Sequence, residues 1–166
     1  MVQLIATPDG VEGKDAIIAS YAEFVHYRGA CNHEQGRNVN FTFSFFGGSS
    51  IDQCLFEVSD ITEDTLGEFF IALRAWKEID KYRVIVTHST VLGLYDFSQP
   101  PGEINVEVFD LTALQETIRQ YAAEGTFGEI PAGITITLDK WQAVKELKQT
   151  CHFRWIAGHL IFWRRP

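Results

Sequence analysis

The stretch NVNFTFSFF, residues 38–46, carries the pattern that decides the fold class of this sequence. Every second residue from Val39 to Phe45 is large and apolar, and the residues between them are small and polar. A period of two places the large side chains on one face of a β-strand. Phe46 follows on the polar face, which indicates either an exposed apolar residue or a sheet that is covered on both sides. An apolar strand face requires a packed layer, so we expect helices to cover this sheet.

Helices and further strands are predicted around this stretch. In four segments the apolar residues recur at every third or fourth position, which is typical of amphipathic helices. Gly29 is predicted to end the first helix, Thr62 to cap the second, and Gly158 to form a bulge in the last strand. The predicted helices are 14–28, 62–76, 112–125 and 138–147. The predicted strands are 39–45, 53–58, 83–87, 91–97, 104–108, 134–137 and 154–163.

The order of these elements predicts the α+β class. Runs of adjacent strands between helices favour a mainly antiparallel sheet of about six to seven strands, with about four packed helices. The chain has 166 residues, of which 46% are hydrophobic, and no internal repeat or linker is visible. A chain of this size buries roughly 70% of the surface that it exposes when unfolded. We therefore predict one globular domain spanning residues 1–166.

The sequence contains no recognisable targeting or anchoring segment. The first ten residues lack a basic start followed by an apolar run, and no apolar stretch is long enough to span a bilayer. The three cysteines are widely separated, which favours free thiols over disulfides. We expect a cytoplasmic protein that does not enter a membrane.

The net charge of −8 is unevenly distributed along the chain. Two segments, 38–73 and 84–118, contain no Lys or Arg, and together they hold 11 acidic residues. Such concentrated acidity matches a surface that is complementary to a basic protein, although solvated helix faces have the same composition. Tyr95 is a candidate aromatic anchor at such a surface, because it lies near the end of a predicted element. The candidate partner-binding residues are Asp60, Glu63, Asp64, Asp96, Glu103, Glu107 and Tyr95.

Motifs for nucleotide, metal or nucleic-acid chemistry are missing from the sequence. It contains no glycine-rich phosphate loop, no HExxH and no nucleophile elbow, so no cofactor is expected. The isoelectric point near 5.0 argues against direct binding of nucleic acid, despite the basic pair Arg164 and Arg165 close to residue 166. A non-enzymatic protein of the immunity, inhibitor or nucleic-acid-mimic type is therefore expected.

Two other functions stay open at this point. A small enzyme or ligand-binding domain could use His88, at the end of a predicted strand, as an acid or base with a nearby carboxylate. It could instead use a cluster of His26, Cys31 and His33, whose residue types also bind transition metals. The other possibility is a structural or scaffold subunit whose carboxylates are only solvated.

Overall fold

The computed structural model of the chain describes residues 1–90, 95, 97, 100–125, 128–129 and 133–165, with the backbone alone described at 89, 90, 113, 117 and 121. The α+β class is confirmed. The chain forms two compact units, Met1–Ile104 and Asn105–Pro166, and each has its own sheet. The predicted single sheet of six to seven strands is wrong, because the six described strands form two antiparallel sheets of three. The described residues also form six α-helices instead of four.

The first unit places four helices beside a sheet with strand order β2-β1-β3. Its elements are β1 (Gln3–Pro8), β2 (Ala16–Ile18), α1 (Tyr21–Gln35), β3 (Phe41–Gly47), α2 (Ser50–Ser59), α3 (Leu66–Ala75), α4 (Glu78–Thr90) and a short 3-10 helix (Pro101–Glu103).

The strand predicted at residues 39–45 is confirmed as β3, which runs antiparallel to β1. The alternating large apolar residues of β3 lie on one face of the strand, as the sequence predicts. Phe24, a buried residue of α1, packs edge-on against Phe41 and Phe43 from the inner face of the sheet, with ring centroids 5.3 and 5.2 Å away. Phe46 lies on the other face and is exposed, so that face is not covered at this position.

Two predicted strands of the first unit are helices. Residues 53–58 belong to α2, because Ser49 and Asp52 form a capping box that starts a helix. Residues 83–87 belong to α4, where Val84, Ile85 and Val86 are all buried. Their β-branched run resembled a buried strand, since periodicity cannot distinguish a short apolar strand from a helix that is buried all round.

The other boundaries differ more modestly. Residues 16–18 of the predicted first helix form β2, and α1 passes through Gly29 and ends at Gly36, which adopts φ 63°. The second helix begins at Leu66 instead of Thr62. The predicted strand 91–97 falls mostly outside the described residues.

The second unit contains a sheet with strand order β4-β6-β5. Its elements are β4 (Glu107–Asp110), α5 (Leu111–Ala123), α6 (Lys140–Thr150), β5 (His152–Ile156) and β6 (His159–Arg164). Both predicted helices of this region are confirmed as α5 and α6. Residues 134–137, predicted as a strand, have no regular structure.

The predicted long strand 154–163 is a hairpin. Ala157 and Gly158 separate β5 from β6, with φ angles of 52° and 83°. Two positive φ angles are the signature of a type I′ turn, so Gly158 serves a two-residue turn instead of a bulge. The packed face predicted for α6 is also wrong, because Trp141 is 88% exposed and no described residue of that helix is buried. In the part of the chain described here, no helix has both the length and the apolarity to cross a membrane.

Candidate partner-binding surface

The net negative charge belongs to the first unit. Met1–Ile104 contains 15 acidic residues and seven Lys or Arg, whereas Asn105–Pro166 contains seven of each. Four of the seven cations of the first unit form ion pairs inside it, and so they are not free to offset other carboxylates. These pairs are Lys14–Glu34, Arg28–Glu63, Lys81–Asp52 and Arg83–Asp80.

Three carboxylates on and before α3 are exposed and make no ion pair or hydrogen bond with the described residues. Asp60 ends α2 in a left-handed conformation, Asp64 lies in the turn before α3, and Glu68 lies in the first turn of α3. Ile71 follows one turn after Gly67 and is 68% exposed. We call Asp60, Asp64, Glu68 and Ile71 the acidic surface.

An aromatic residue borders this surface. The Tyr21 ring lies over Gly67, where an added Cβ would be 3.5 Å from the ring. Tyr21 itself is exposed. Because positions three and four apart share a helix face, Ile71 lies on the side of α3 that carries Gly67 and Glu68. The face therefore combines an exposed isoleucine with the Glu68 carboxylate and is bordered by a tyrosine ring, which is the composition of an interface centre with a polar rim.

Ile71 was missed by the sequence analysis, although a signal was present. The apolar residues Leu66, Phe69, Phe70, Leu73 and Trp76 recur at the three- and four-residue spacing of one helix face, and Ile71 falls between those positions. An isoleucine outside the buried stripe indicates an exposed apolar residue.

Glu63 differs from its acidic neighbours because it stabilises the fold. Its carboxylate accepts a hydrogen bond from the Phe41 backbone N–H at 2.9 Å and lies 3.4 Å from the Arg28 guanidinium. The side chain is only 24% exposed. Glu63 therefore holds the turn before α3 against the start of β3, and its charge is already neutralised.

The other candidate residues occupy varied environments. Tyr95 is half-buried, and its ring packs edge-on against Trp76, Phe97 and His88. Glu103 is exposed in the 3-10 helix of the first unit. Glu107, in β4 of the second unit, accepts a hydrogen bond at 2.6 Å from Arg164. Asp96 lies outside the described residues.

His88 is isolated from carboxylates in the described part of the molecule. It lies within α4, and its buried Nε2 atom has no hydrogen-bond partner among the described residues. Burial lowers the pKa of the imidazole, so the neutral form is favoured. Asp110, a carboxylate that could have served as the partner of His88, instead accepts a hydrogen bond from the Thr112 N–H and caps α5.

Helix α1 separates the members of the proposed His26, Cys31 and His33 cluster. His26 and His33 are exposed, and they are seven positions apart on one face of the helix. Cys31 is buried on another face beside Tyr27. Burial raises the pKa of the Tyr27 hydroxyl, and the neighbouring Cys31 thiol raises it further, so the phenol stays protonated at neutral pH. Among the described residues, no three His, Cys, Asp or Glu side chains are arranged to hold a metal ion.

A polar cleft of about 380 Å³ opens between α1 and the start of β3. Three of its polar side chains already have structural partners: Asn32 accepts the Val39 N–H at 2.8 Å, and Glu63 pairs with Arg28. A ligand in this cleft would therefore compete with contacts that hold the first unit together.

Comparison of the chain with protein-family models, with curated proteins and with solved structures finds no match.

Proposed function

We propose that this chain is a non-enzymatic binding protein whose acidic surface neutralises a basic protein partner. The observation that carries the proposal is the exposure of Ile71 on the same face of α3 as the exposed Glu68, in a helix that follows the exposed Asp64. Exposed carboxylates alone do not indicate a partner, because solvent-facing helices commonly carry them. An isoleucine held in solvent among carboxylates gains free energy only when another surface covers it, at about 25 cal/mol per Å² of apolar area buried.

The two kinds of residue have different tasks in such a complex. The carboxylates attract a basic protein and raise the association rate, and this effect weakens as salt screens exposed charges beyond about 8 Å at physiological ionic strength. Ile71 and Tyr21 supply the desolvated contact that slows dissociation. This division of roles, with charge for association and apolar contact for slow dissociation, suits an inhibitor, an immunity protein or a nucleic-acid mimic.

The cellular setting is part of the same proposal. All three cysteines are free, which suits the reducing cytoplasm. A cytoplasmic partner with a basic surface, such as a nuclease, is the class of protein that this surface fits.

The experiment is affinity capture from an extract of the native cell, with the triple variant Asp60→Lys, Asp64→Lys and Glu68→Lys beside the wild-type protein. The matched control is Asp9→Lys, Glu12→Lys and Asp15→Lys, which changes the net charge equally at exposed positions outside the acidic surface. We expect a basic protein to be captured by the wild type and by the control. The triple variant should bind the purified partner about tenfold or more weakly, with most of the loss in the association rate.

Two results would contradict the proposal. Equal loss in both triple variants would mean that bulk charge, and not this surface, attracts the partner. An affinity that is unchanged by salt would remove the role of the carboxylates. Ile71→Ser tests the apolar contact separately and should mainly raise the dissociation rate.

A further inference from the structure

The outer edge of β5 is an open strand edge in the second unit. β5 pairs with β6 on one side only, and no described residue pairs with its other side. His152, Phe153, Arg154 and Trp155 are all exposed, with Phe153 at 47% and Trp155 at 67%.

The turn geometry identifies the backbone groups that point outward. In a two-residue hairpin the residues that flank the turn, Ile156 and His159, form a hydrogen-bonded pair. Hydrogen-bonded and non-hydrogen-bonded pairs alternate along an antiparallel ladder, so Arg154 bonds to β6 and the residues on either side of it do not. Phe153 and Trp155 therefore direct their N–H and C=O groups to the open edge.

Two edges of the first sheet are protected in ways that β5 is not. β2 is only three residues long. β3 has its Phe41 N–H occupied by the Glu63 carboxylate. Short strands and covered backbone groups are the usual defences against unwanted strand pairing. β5 has five residues, exposed aromatic rings and outward backbone groups, which is the arrangement that accepts an added strand.

Arg154 determines which strand fits. Its guanidinium has no ion pair among the described residues, and it lies on the sheet face opposite to Phe153 and Trp155. A residue placed opposite Arg154 on an added strand would have its Cα about 4.5 Å away, within reach of an ion pair.

We propose that the β5 edge binds an extended segment of a partner protein with an apolar–acidic–apolar core, as an added antiparallel strand. The acidic residue lies opposite Arg154, and the two apolar residues lie opposite Phe153 and Trp155. The partner's backbone takes the four hydrogen bonds that these two residues offer. This binding is independent of the acidic surface, which lies in the other unit and attracts the opposite charge.

A second copy of the chain fits less well. Pairing β5 with itself in the register that uses the same backbone groups places Arg154 opposite Arg154, and like charges at opposed positions are destabilising. A nucleic-acid strand would stack on the aromatic rings but would leave the strand-directed N–H and C=O groups unmatched.

The test uses capped synthetic peptides with the core Thr-Val-Glu-Val-Thr and, as the matched control, Thr-Val-Lys-Val-Thr. We expect the glutamate peptide to bind the full-length protein about tenfold more tightly than the lysine peptide, and Arg154→Glu to reverse this preference. Methylating the backbone nitrogen of either valine should abolish binding. Methylating the nitrogen of the central glutamate should not, because that N–H points away from β5.

Amide hydrogen exchange gives a second measurement that does not depend on affinity. The Phe153 and Trp155 amides should exchange fast in the free protein and become protected when the glutamate peptide is added, whereas the Arg154 amide should be protected throughout. Circular dichroism of Arg154→Glu confirms that this exposed substitution leaves the fold intact.

Four outcomes would overturn the proposal. These are no peptide binding, an unchanged preference in Arg154→Glu, protection of Phe153 and Trp155 through concentration-dependent dimerisation, and tighter binding of a labelled oligothymidine than of the glutamate peptide. The third would assign the edge to a second copy, and the fourth would assign it to single-stranded nucleic acid.

Discussion

Lys81 Nζ lies 2.5 Å from Asp52 Oδ1, and the two side chains are only 10% and 11% exposed. The pair joins α4 to α2. The same carboxylate accepts the Ser49 N–H at 3.2 Å and the Ser49 hydroxyl at 2.6 Å, completing the capping box of α2. One buried carboxylate therefore both starts a helix and fixes a second helix beside it.

Replacing Lys81 with methionine should lower the free energy of unfolding by about 3 kcal/mol, because it leaves the Asp52 charge buried without its partner. Urea denaturation at pH 7 measures the loss. The control is Lys77→Met, because Lys77 is an exposed lysine four positions before Lys81. This variant should change the free energy of unfolding by less than about 0.5 kcal/mol. If both variants lose equally little, the ion pair contributes nothing to the fold.

Acid should weaken the first unit through the same pair. Burial raises the pKa of Asp52, but hydrogen bonds from Lys81 and Ser49 and the Lys81 charge outweigh it, so the pKa lies below the ordinary 3.8. As pH falls, the unfolded chain therefore binds the proton first. The ionised Asp52 carboxylate therefore stabilises the folded state fully above about pH 4, and this stabilisation is lost as pH falls through the folded-state pKa. Urea denaturation between pH 7 and 2.5 should show this loss in the wild type and a flatter acid limb in Asp52→Asn.

The sequence predicted the elements whose signal is local. β3 was recognisable because its alternation is continuous, and α5 and α6 because their stripes are long. α2 was missed although Ser49 and Asp52 have the spacing of a capping box, since the alternating residues that follow also fit a strand. α4 was missed because its burial on several sides depends on packing against other elements of its unit, and that packing is not visible in a window of sequence.

The sequence located the acidic segment of the chain, but it did not show which carboxylates in that segment are exposed and unpaired. Adjacent acids 63 and 64 look equivalent in sequence, yet Glu63 bonds to a backbone N–H 22 residues away and Asp64 faces solvent. The division into two units, and with it the assignment of the net charge to one of them, depends on contacts between residues distant in sequence.

Glu63 and Asp64 should respond differently to loss of charge. Glu63→Ala leaves the Phe41 N–H without its acceptor and should cost about 1–3 kcal/mol of unfolding free energy. Glu63→Gln keeps an acceptor and should cost less. Asp64→Asn should leave stability unchanged but weaken capture of the basic partner. Urea denaturation and the capture assay, applied to all three variants, separate the two roles. A partner affinity that falls in Glu63→Gln and not in Asp64→Asn would reverse this assignment.

Ala157 adopts φ 52° in the turn between β5 and β6, a left-handed conformation that costs a residue with a Cβ about 1 kcal/mol. Asparagine tolerates this conformation, and Asn-Gly is the preferred pair for a type I′ turn. Ala157→Asn should therefore stabilise the hairpin by about 0.5–1 kcal/mol, measured as slower exchange of the Arg154 amide that bonds across to β6. Ala157→Val, β-branched at a positive φ, should speed that exchange. Equal exchange in the two variants would mean that the turn does not limit opening of the hairpin, and that the register of the β5 edge is held by the contacts of Phe162 and Ile161 instead.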